Sequence, residues 1–565
     1  MSMFAIEKSE ISGSLTAVIS LICDNLVNLI TFSSILTTDY ENTPGAPQGL
    51  VTTHLFAGAL VGVILGNLLV FFFTKSKDRG LIGCIPIGID APTVFFMAYA
   101  VRAAFDAKLA SGMSDEAALN QAWANGASIV LVMGAVKLSL TTVYFCWPSF
   151  MNDFLDKKMF GACLLSIGVS LLGMNNIIGI FSEPVSGITS LFAFLMKTLP
   201  QSVRRPGNDV ENVAPWKYIP HITYSLIIGV PIYYVLAYLP VQSGAEIPAF
   251  TWGFPEGDYM GNLRCDDDAD CETSMLGAIP FAFLAFCGGY CVVMEALKGD
   301  REGPTDVEAV NSVTEPLVPS NGATNGEEVE FVPTSADHST ICTILCVDAL
   351  STILNALCGG LVQTTPYIGY STYRKLGVKT IYSVWFAGSL FVLLITGSMS
   401  YVSQALPQPV LKPIFVLVAL DLAQLTLRTM MSDEVKEQRI NEYLPAIFMS
   451  LFPSMAHLMS INGNSTEVVT VLSNGFVITA LLWGQATLCI TRCTPLDRYW
   501  AMGIFAVLAF FTNFGIIHSW NGEVYYNSWD QGSYLPACIA MGYLLTVPIC
   551  WFLMETEGKV ITRQQ

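Results

Sequence analysis

Apolar runs about 20 residues long recur from residue 12 to residue 554 with few charges inside them, and that is about the length of helix that crosses the roughly 30 Å hydrocarbon layer of a bilayer. In hydrocarbon every backbone N–H and C=O must find a partner inside the protein, so such runs fold as helices. With 53% hydrophobic and only 13% charged residues over 565 positions, the chain reads as a polytopic membrane protein with no soluble catalytic domain.

The runs and their breakers place spans near 12–36, 53–74, 81–104, 127–147, 159–177, 179–199, 218–240, 275–297, 339–358, 359–373, 378–400, 409–430, 442–460, 467–490, 498–517 and 534–554. Basic clusters follow every second span: Lys75, Lys77 and Arg79; Lys157 and Lys158; Arg204 and Arg205; Lys298 and Arg301; Arg374, Lys375 and Lys379; Arg428, Lys436 and Arg439. The positive-inside rule puts them all on the cytoplasmic face, with the N-terminus. The N-terminal MSMFAIEKSEISGS lacks a basic region before an apolar core, so no cleavable signal is expected. Plasma membrane is the default location.

The net charge of −18 says little about a ligand, because much of the acid lies in connecting segments. One, GDYMGNLRCDDDADCE, falls on the extracytoplasmic side, where Cys265 and Cys271 could pair and Asn464 of the Asn-Ser-Thr sequon could be glycosylated. The other, residues 299–338, is rich in Pro, Gly, Ser, Thr and acid, and reads as a disordered cytoplasmic linker. The expected organisation is a first membrane repeat over 1–240, an acidic loop over 241–274, a second repeat over 275–490 that contains the linker, and an extra C-terminal hairpin and tail over 491–565.

Two apolar segments are broken. IPIGIDAPTVFF follows the basic cluster KSKDR, whereas QTTPYIGYST precedes the basic cluster RKLGVK. The reversed order is what an inverted-topology repeat would give, and chance spacing of Pro and Gly is the alternative. Pro92 and Pro366 each remove a donor, and Gly88, Gly359, Gly360 and Gly369 relax the backbone, so both segments are expected to unwind and offer free N–H and C=O groups to a solute; a packing kink is the bland reading.

Charges inside apolar spans are costly unless paired or wetted. They include Asp24, Asp90, Arg102, Glu183, Glu295, Asp348, Lys412 and Asp421. Asp90 reads equally as a ligand or as a helix cap. Asp348 is a structural partner or a proton carrier, and Glu295 an interfacial carboxylate beside Lys298 or a proton site. Arg102 and Lys412, near span ends, are expected to snorkel. Gly58, Gly62 and Gly66 form a close-packing stripe. The histidines are scattered, the cysteines lack metal-ligand spacing, and there is no nucleotide loop or nucleophile–base pairing, so no metal, cofactor or enzymatic activity is expected.

Taken together, CVDALSTILNALCGGLVQTTPYIGYSTYRKLGVKTIYSVW, GIDAPTVFF, LPAIFMSLFPSMAHLMSI, LSNGFVITALLWG and TFSSIL resemble, in order, motifs of the nucleobase-cation symporter-2 superfamily, in particular its adenine/guanine/hypoxanthine permease branch. The resemblance covers most of residues 10–490. It implies an all-α fold of fourteen helices in two inverted seven-helix repeats, with core and gate domains and discontinuous helices 3 and 10, while the two extra C-terminal spans lie outside it. Gly369 stands where that branch has its tenth-helix glutamate, Asp90 lies in a changed third-segment motif, and Glu295 aligns only loosely with the eighth-helix acid.

The function so implied is secondary active transport of a purine or nucleobase-like solute with proton coupling, by elevator-type alternating access. Backbone at Gly88, Asp90, Ala91, Thr93, Thr364 and Gly369, hydroxyls of Thr364, Thr365, Tyr367 and Tyr370, and rings of Phe95 and Phe96 would hold the solute, with Glu295 and Asp348 as proton-coupling candidates. Membrane lipid and the solute are the expected partners, nucleic acid is not, and a homodimer is allowed. The alternatives are an anion transporter of the sulfate or bicarbonate type on the same fold, favoured by half-helix N-termini and the missing acid, and a non-transporting scaffold or sensor.

Overall fold

The computed structural model describes residues 8–37, 45–46, 48–75, 85–148, 165–166, 168–181, 185–192, 221–238, 269–301, 335–367, 381–413, 416, 419, 423, 436–461, 466–492, 494–520 and 533–564. The chain begins with α1 (Lys8–Thr37) and α2 (Gln48–Lys75), followed by an extended segment β1 (Ile87–Ile89) that leads straight into α3 (Ala91–Ala110) and then α4 (Asp115–Cys146). After α5 (His221–Tyr238) and α6 (Ala269–Arg301), the second broken segment repeats the theme: α7 (Ser335–Leu357), extended β2 (Thr364–Pro366), then α8 (Ile381–Ile395). The C-terminal part holds α9 (Lys436–Ile461), α10 (Glu467–Ser473), α11 (Phe476–Arg492), α12 (Pro495–Asn513) and α13 (Leu535–Gln564).

Local chemistry fixes the ends that matter. Asp90, extended at φ −77° and ψ 106°, caps α3 by accepting from Thr93 N at 3.3 Å, and Pro92 falls in the first turn, where a missing N–H costs nothing. Gly359 closes α7 with φ 77°, and the next amide, Gly360 N, returns to Asn355 O at 2.7 Å. Gly475, at φ 70°, separates α10 from α11, which meet at a bend of 80°. The run read as one span over 467–490 is thus two helices.

β1 and β2 pair antiparallel, with Ile87 opposite Pro366, Gly88 opposite Thr365 and Ile89 opposite Thr364. An antiparallel crossing of one broken segment from each half is what a two-fold axis in the membrane plane produces. The fold is the expected all-α polytopic inverted-repeat architecture, in which 364–366 and 87–89 replace helix that the apolar runs 359–373 and 81–104 would otherwise suggest. Among the described residues three helices, Ala17–Thr37, Asp115–Cys146 and Asp337–Leu357, are long and apolar enough to cross a membrane, and the bent pair Glu467–Ser473 with Phe476–Arg492 passes together.

One apolar core joins α1, α2, α3, α4, α6, α7 and α8. The stripe on α2 sets its closest approach: Gly58 meets the backbone of Gly359 and Gly360, Gly62 meets Ser351 and Asn355, and Gly66 meets Ser351, so any side chain at these positions would push α2 off α7. A second, smaller cluster built from Cys489, Ile504, Leu508, Ile517 and Cys550 joins α11, α12 and α13. Large apolar side chains such as Phe72, Phe145, Leu496 and Phe510 face outward, as lipid contact requires.

Candidate functional site

A two-stranded ribbon has two open edges, and at membrane depth each edge group needs a partner. Tyr367 N donates to Pro86 O at 2.8 Å and Asp90 N to Gln363 O at 3.0 Å, which leaves Ile87, Ile89, Thr364 and Pro366 with their polar groups turned away from the ladder. On the β1 edge, Asn67 of α2 accepts from Ile87 N at 3.1 Å and donates to Ile87 O at 2.7 Å, while Asn25 of α1 accepts from Ile89 N at 2.9 Å. On the β2 edge, Thr352 Oγ1 accepts from Thr364 N at 3.2 Å and Lys137 Nζ donates to Thr364 O at 2.6 Å. Pro366 takes the remaining edge position, where no donor has to be satisfied.

The ribbon's β2 side carries the densest charge. Lys137 of α4 lies 2.5 Å from Asp348 of α7, and both side chains are buried. Thr364 Oγ1 donates to Asp348 Oδ1 at 2.9 Å and lies 3.0 Å from Thr352 Oγ1. Asp348, Thr352 and Asn355 are spaced i, i+4, i+7 and so share one face of α7. Asn355 completes that face, accepting from Gly62 N at 2.7 Å and donating to Val362 O at 3.2 Å, and Trp123 of α4 donates to Gly359 O at 2.7 Å. The return of the chain from α7 into β2 is therefore held from both flanking helices.

At the other end of the crossing, Gln363 Nε2 reaches Asp90 Oδ2 at 2.9 Å, Phe281 O of α6 at 3.1 Å and Thr93 Oγ1, and the Thr93 hydroxyl also contacts Asp90 Oδ2. An aromatic row adjoins it. Phe96 stacks on Phe281 with centroids 4.5 Å apart, Phe281 meets Phe476 of α11 edge-on at 6.0 Å, and Phe476 stacks on His457 of α9 at 4.1 Å. The row links the helices around the crossing to the α9–α11 pair.

Of the residues singled out in the sequence, Gly88, Asp90, Ala91, Thr93, Phe96, Thr364, Thr365 and Tyr367 come together here. Asp90 is the helix cap. Asp348 is the ion-pair partner of Lys137. Phe95 packs in the main apolar core. Gly88 has ordinary extended backbone, and a Cβ there would meet nothing nearer than 3.6 Å, so no strain demands glycine. Arg102 does not snorkel: it is buried, pairs with Asp106 at 2.9 Å and donates to Leu36 O at 2.9 Å, because that carbonyl near the end of α1 supplies a partner within the protein. Gly369, Tyr370, Asn464 and Cys265 lie outside the described residues, as do the side chains of Glu295 and Cys271, whose backbones belong to α6. The sequence reading missed Lys137, Gln363, Asn25, Asn67 and Asn355. Lys137 carried a signal, a charge in the middle of the run 127–147.

No family model and no curated protein matches the chain. Among solved structures it is similar to the transmembrane domain of a cyanobacterium bicarbonate transporter, BicA, at 12% identity over 84% of this chain and 97% of that one, with a TM-score of 0.44. It is also similar to SLC26A9 at 13% identity, over 83% of this chain and 66% of that one, TM-score 0.47, and to the murine Slc26a9 anion transporter in the inward-facing state at 14% identity, over 84% and 70%, TM-score 0.47. The likeness is one of fold. The resemblance to the nucleobase-cation symporter-2 superfamily and its adenine/guanine/hypoxanthine permease branch is corrected accordingly. The solved structures it is similar to include a bicarbonate transporter and an anion transporter, not nucleobase permeases.

Proposed function

We propose that the chain is a secondary transporter of a small anion, with the solute held at the β1–β2 crossing and carried by an elevator-type shift of the crossing against α9 and α11. The observation that carries this reading is Lys137, a buried ammonium that donates to Thr364 O of the broken segment and whose only charged neighbour within ion-pair distance among the described residues is Asp348. A cation is retained at such depth when its charge has work to do, because burial of an ion pair contributes little to stability. A bicarbonate transporter and an anion transporter are among the solved proteins of similar fold.

Asp348 gives the reading a proton. Protonation of Asp348 leaves the Lys137 charge uncompensated, and an anion then restores neutrality, so anion and proton would move together. Purified protein in proteoliposomes, tested with chloride, nitrate, sulfate and bicarbonate gradients, checks this. Anion flux that is raised by an inward proton gradient and lost in Lys137→Met supports it. Absence of flux for every anion, in protein that is folded and inserted, leaves the non-transporting scaffold as the better reading.

A further inference from the structure

Gln363, immediately before β2, is fully buried. Its Nε2 faces three oxygens: the Asp90 carboxylate, the Phe281 carbonyl and the Thr93 hydroxyl. The carbonyl and carboxylate only accept, and the single hydroxyl hydrogen of Thr93 is directed to Asp90. Nothing on that side can donate to an amide oxygen, so chemistry fixes which way the Gln363 amide points. Its Oε1 faces away and has no partner among the described residues. An acceptor stranded at full burial is costly, and in a native protein such a group calls for a partner.

We propose that Gln363 is a specificity-determining residue whose Oε1 accepts a hydrogen bond from the transported solute, so that the site selects an anion that carries its own O–H. The proposal rests on the anion reading above and narrows it. The Lys137–Asp348 pair is neutral as a unit, and the Asp90 carboxylate stands beside Gln363. A fully deprotonated oxyanion or a halide would turn bare negative charge toward Gln363 Oε1, which can only accept. A singly protonated oxyanion of the bicarbonate kind turns its hydroxyl to Gln363 Oε1 instead. Sites built around a hydrogen bond to a solute O–H discriminate strongly against analogues that lack it.

Bicarbonate and nitrate make the test, being planar monoanions of similar size of which only bicarbonate has a donor. Binding of each sodium salt at matched ionic strength is read from the ligand-induced shift in thermal unfolding of purified full-length protein. The wild type is expected to bind bicarbonate at least about tenfold more tightly than nitrate, and Gln363→Leu to bring the two within about threefold. Gln363→Met repeats the comparison should the leucine variant fail to fold. Equal binding of nitrate and bicarbonate by the wild type, or an undiminished ratio in a folded variant, overturns the assignment to Gln363. Binding of neither anion overturns the anion reading itself.

Discussion

Lys137 Nζ sits 2.5 Å from Asp348 Oδ2 and at the same time donates to Thr364 O at 2.6 Å, so one ammonium both neutralises a buried carboxylate and closes the edge of a broken segment. The two roles can be separated. Lys137→Met strands Asp348, and Asp348→Leu strands Lys137; each alone is expected to destabilise the protein by about 3–5 kcal/mol. The double variant removes both charges and should recover much of that loss in a thermal-unfolding cycle, while transport stays absent. Additive losses would show that the pair is not energetically coupled.

A pH dependence follows from the same pair. If Asp348 carries the coupled proton, Asp348→Asn keeps the size and an acceptor for Thr364 Oγ1 but cannot change charge. Flux in proteoliposomes, measured across a pH series at constant anion gradient, should lose its dependence on proton concentration in this variant. A profile parallel to the wild type would move the coupling elsewhere, and Glu295→Gln is the next substitution to measure.

Asn67 satisfies both polar groups of Ile87, and its remaining amide hydrogen goes to Val63 O at 2.7 Å. Asn67→Leu fills similar space and leaves Ile87 N and O unpaired beside hydrocarbon. The expected cost is about 2–4 kcal/mol, two stranded groups at about 1–2 each, with amide exchange at Ile87 accelerated. Asn67→Asp keeps the acceptor for Ile87 N, so it should leave that amide protected even though it adds a charge. Equal exchange in the two variants would mean that Asn67 does not hold the edge.

Much of this was legible in the sequence, and what was not has a physical reason. Apolar runs fix helices because the bilayer leaves the backbone no other partner, and Pro92 and Pro366 mark the breaks because neither can donate. Asp90 could be read as cap or ligand from its place ahead of Ala91-Pro92-Thr93, and the cap is what forms. Gln363, Asn25 and Asn67 escaped because a neutral amide in an apolar run raises no alarm, and its partner is backbone from another part of the chain. Lys137, a charge in mid-run, carried a signal that was passed over, and its partner on α7 lies 211 positions away. Proximity created by the crossing, rather than any local pattern, makes these residues a site.

The C-terminal hairpin offers a prediction of a different kind. Trp483 Nε1 can only donate, to Tyr543 Oη at 2.8 Å, and Val471 O can only accept, from His518 Nδ1 at 3.2 Å. With His518 neutral and its hydrogen on Nδ1, the Tyr543 hydroxyl donates to His518 Nε2 at 2.9 Å. This one-way chain ties α13 to both sides of the α10–α11 break, where Gly475 is packed against Ile516 and Ile517. Tyr543→Phe cuts the chain in the middle, stranding Trp483 Nε1 and His518 Nε2. It should cost about 1–3 kcal/mol and speed amide exchange in Thr470–Gly475 while leaving Ile87–Ile89 protected. Uniform acceleration across both regions would show that the hairpin and the crossing unfold as one unit.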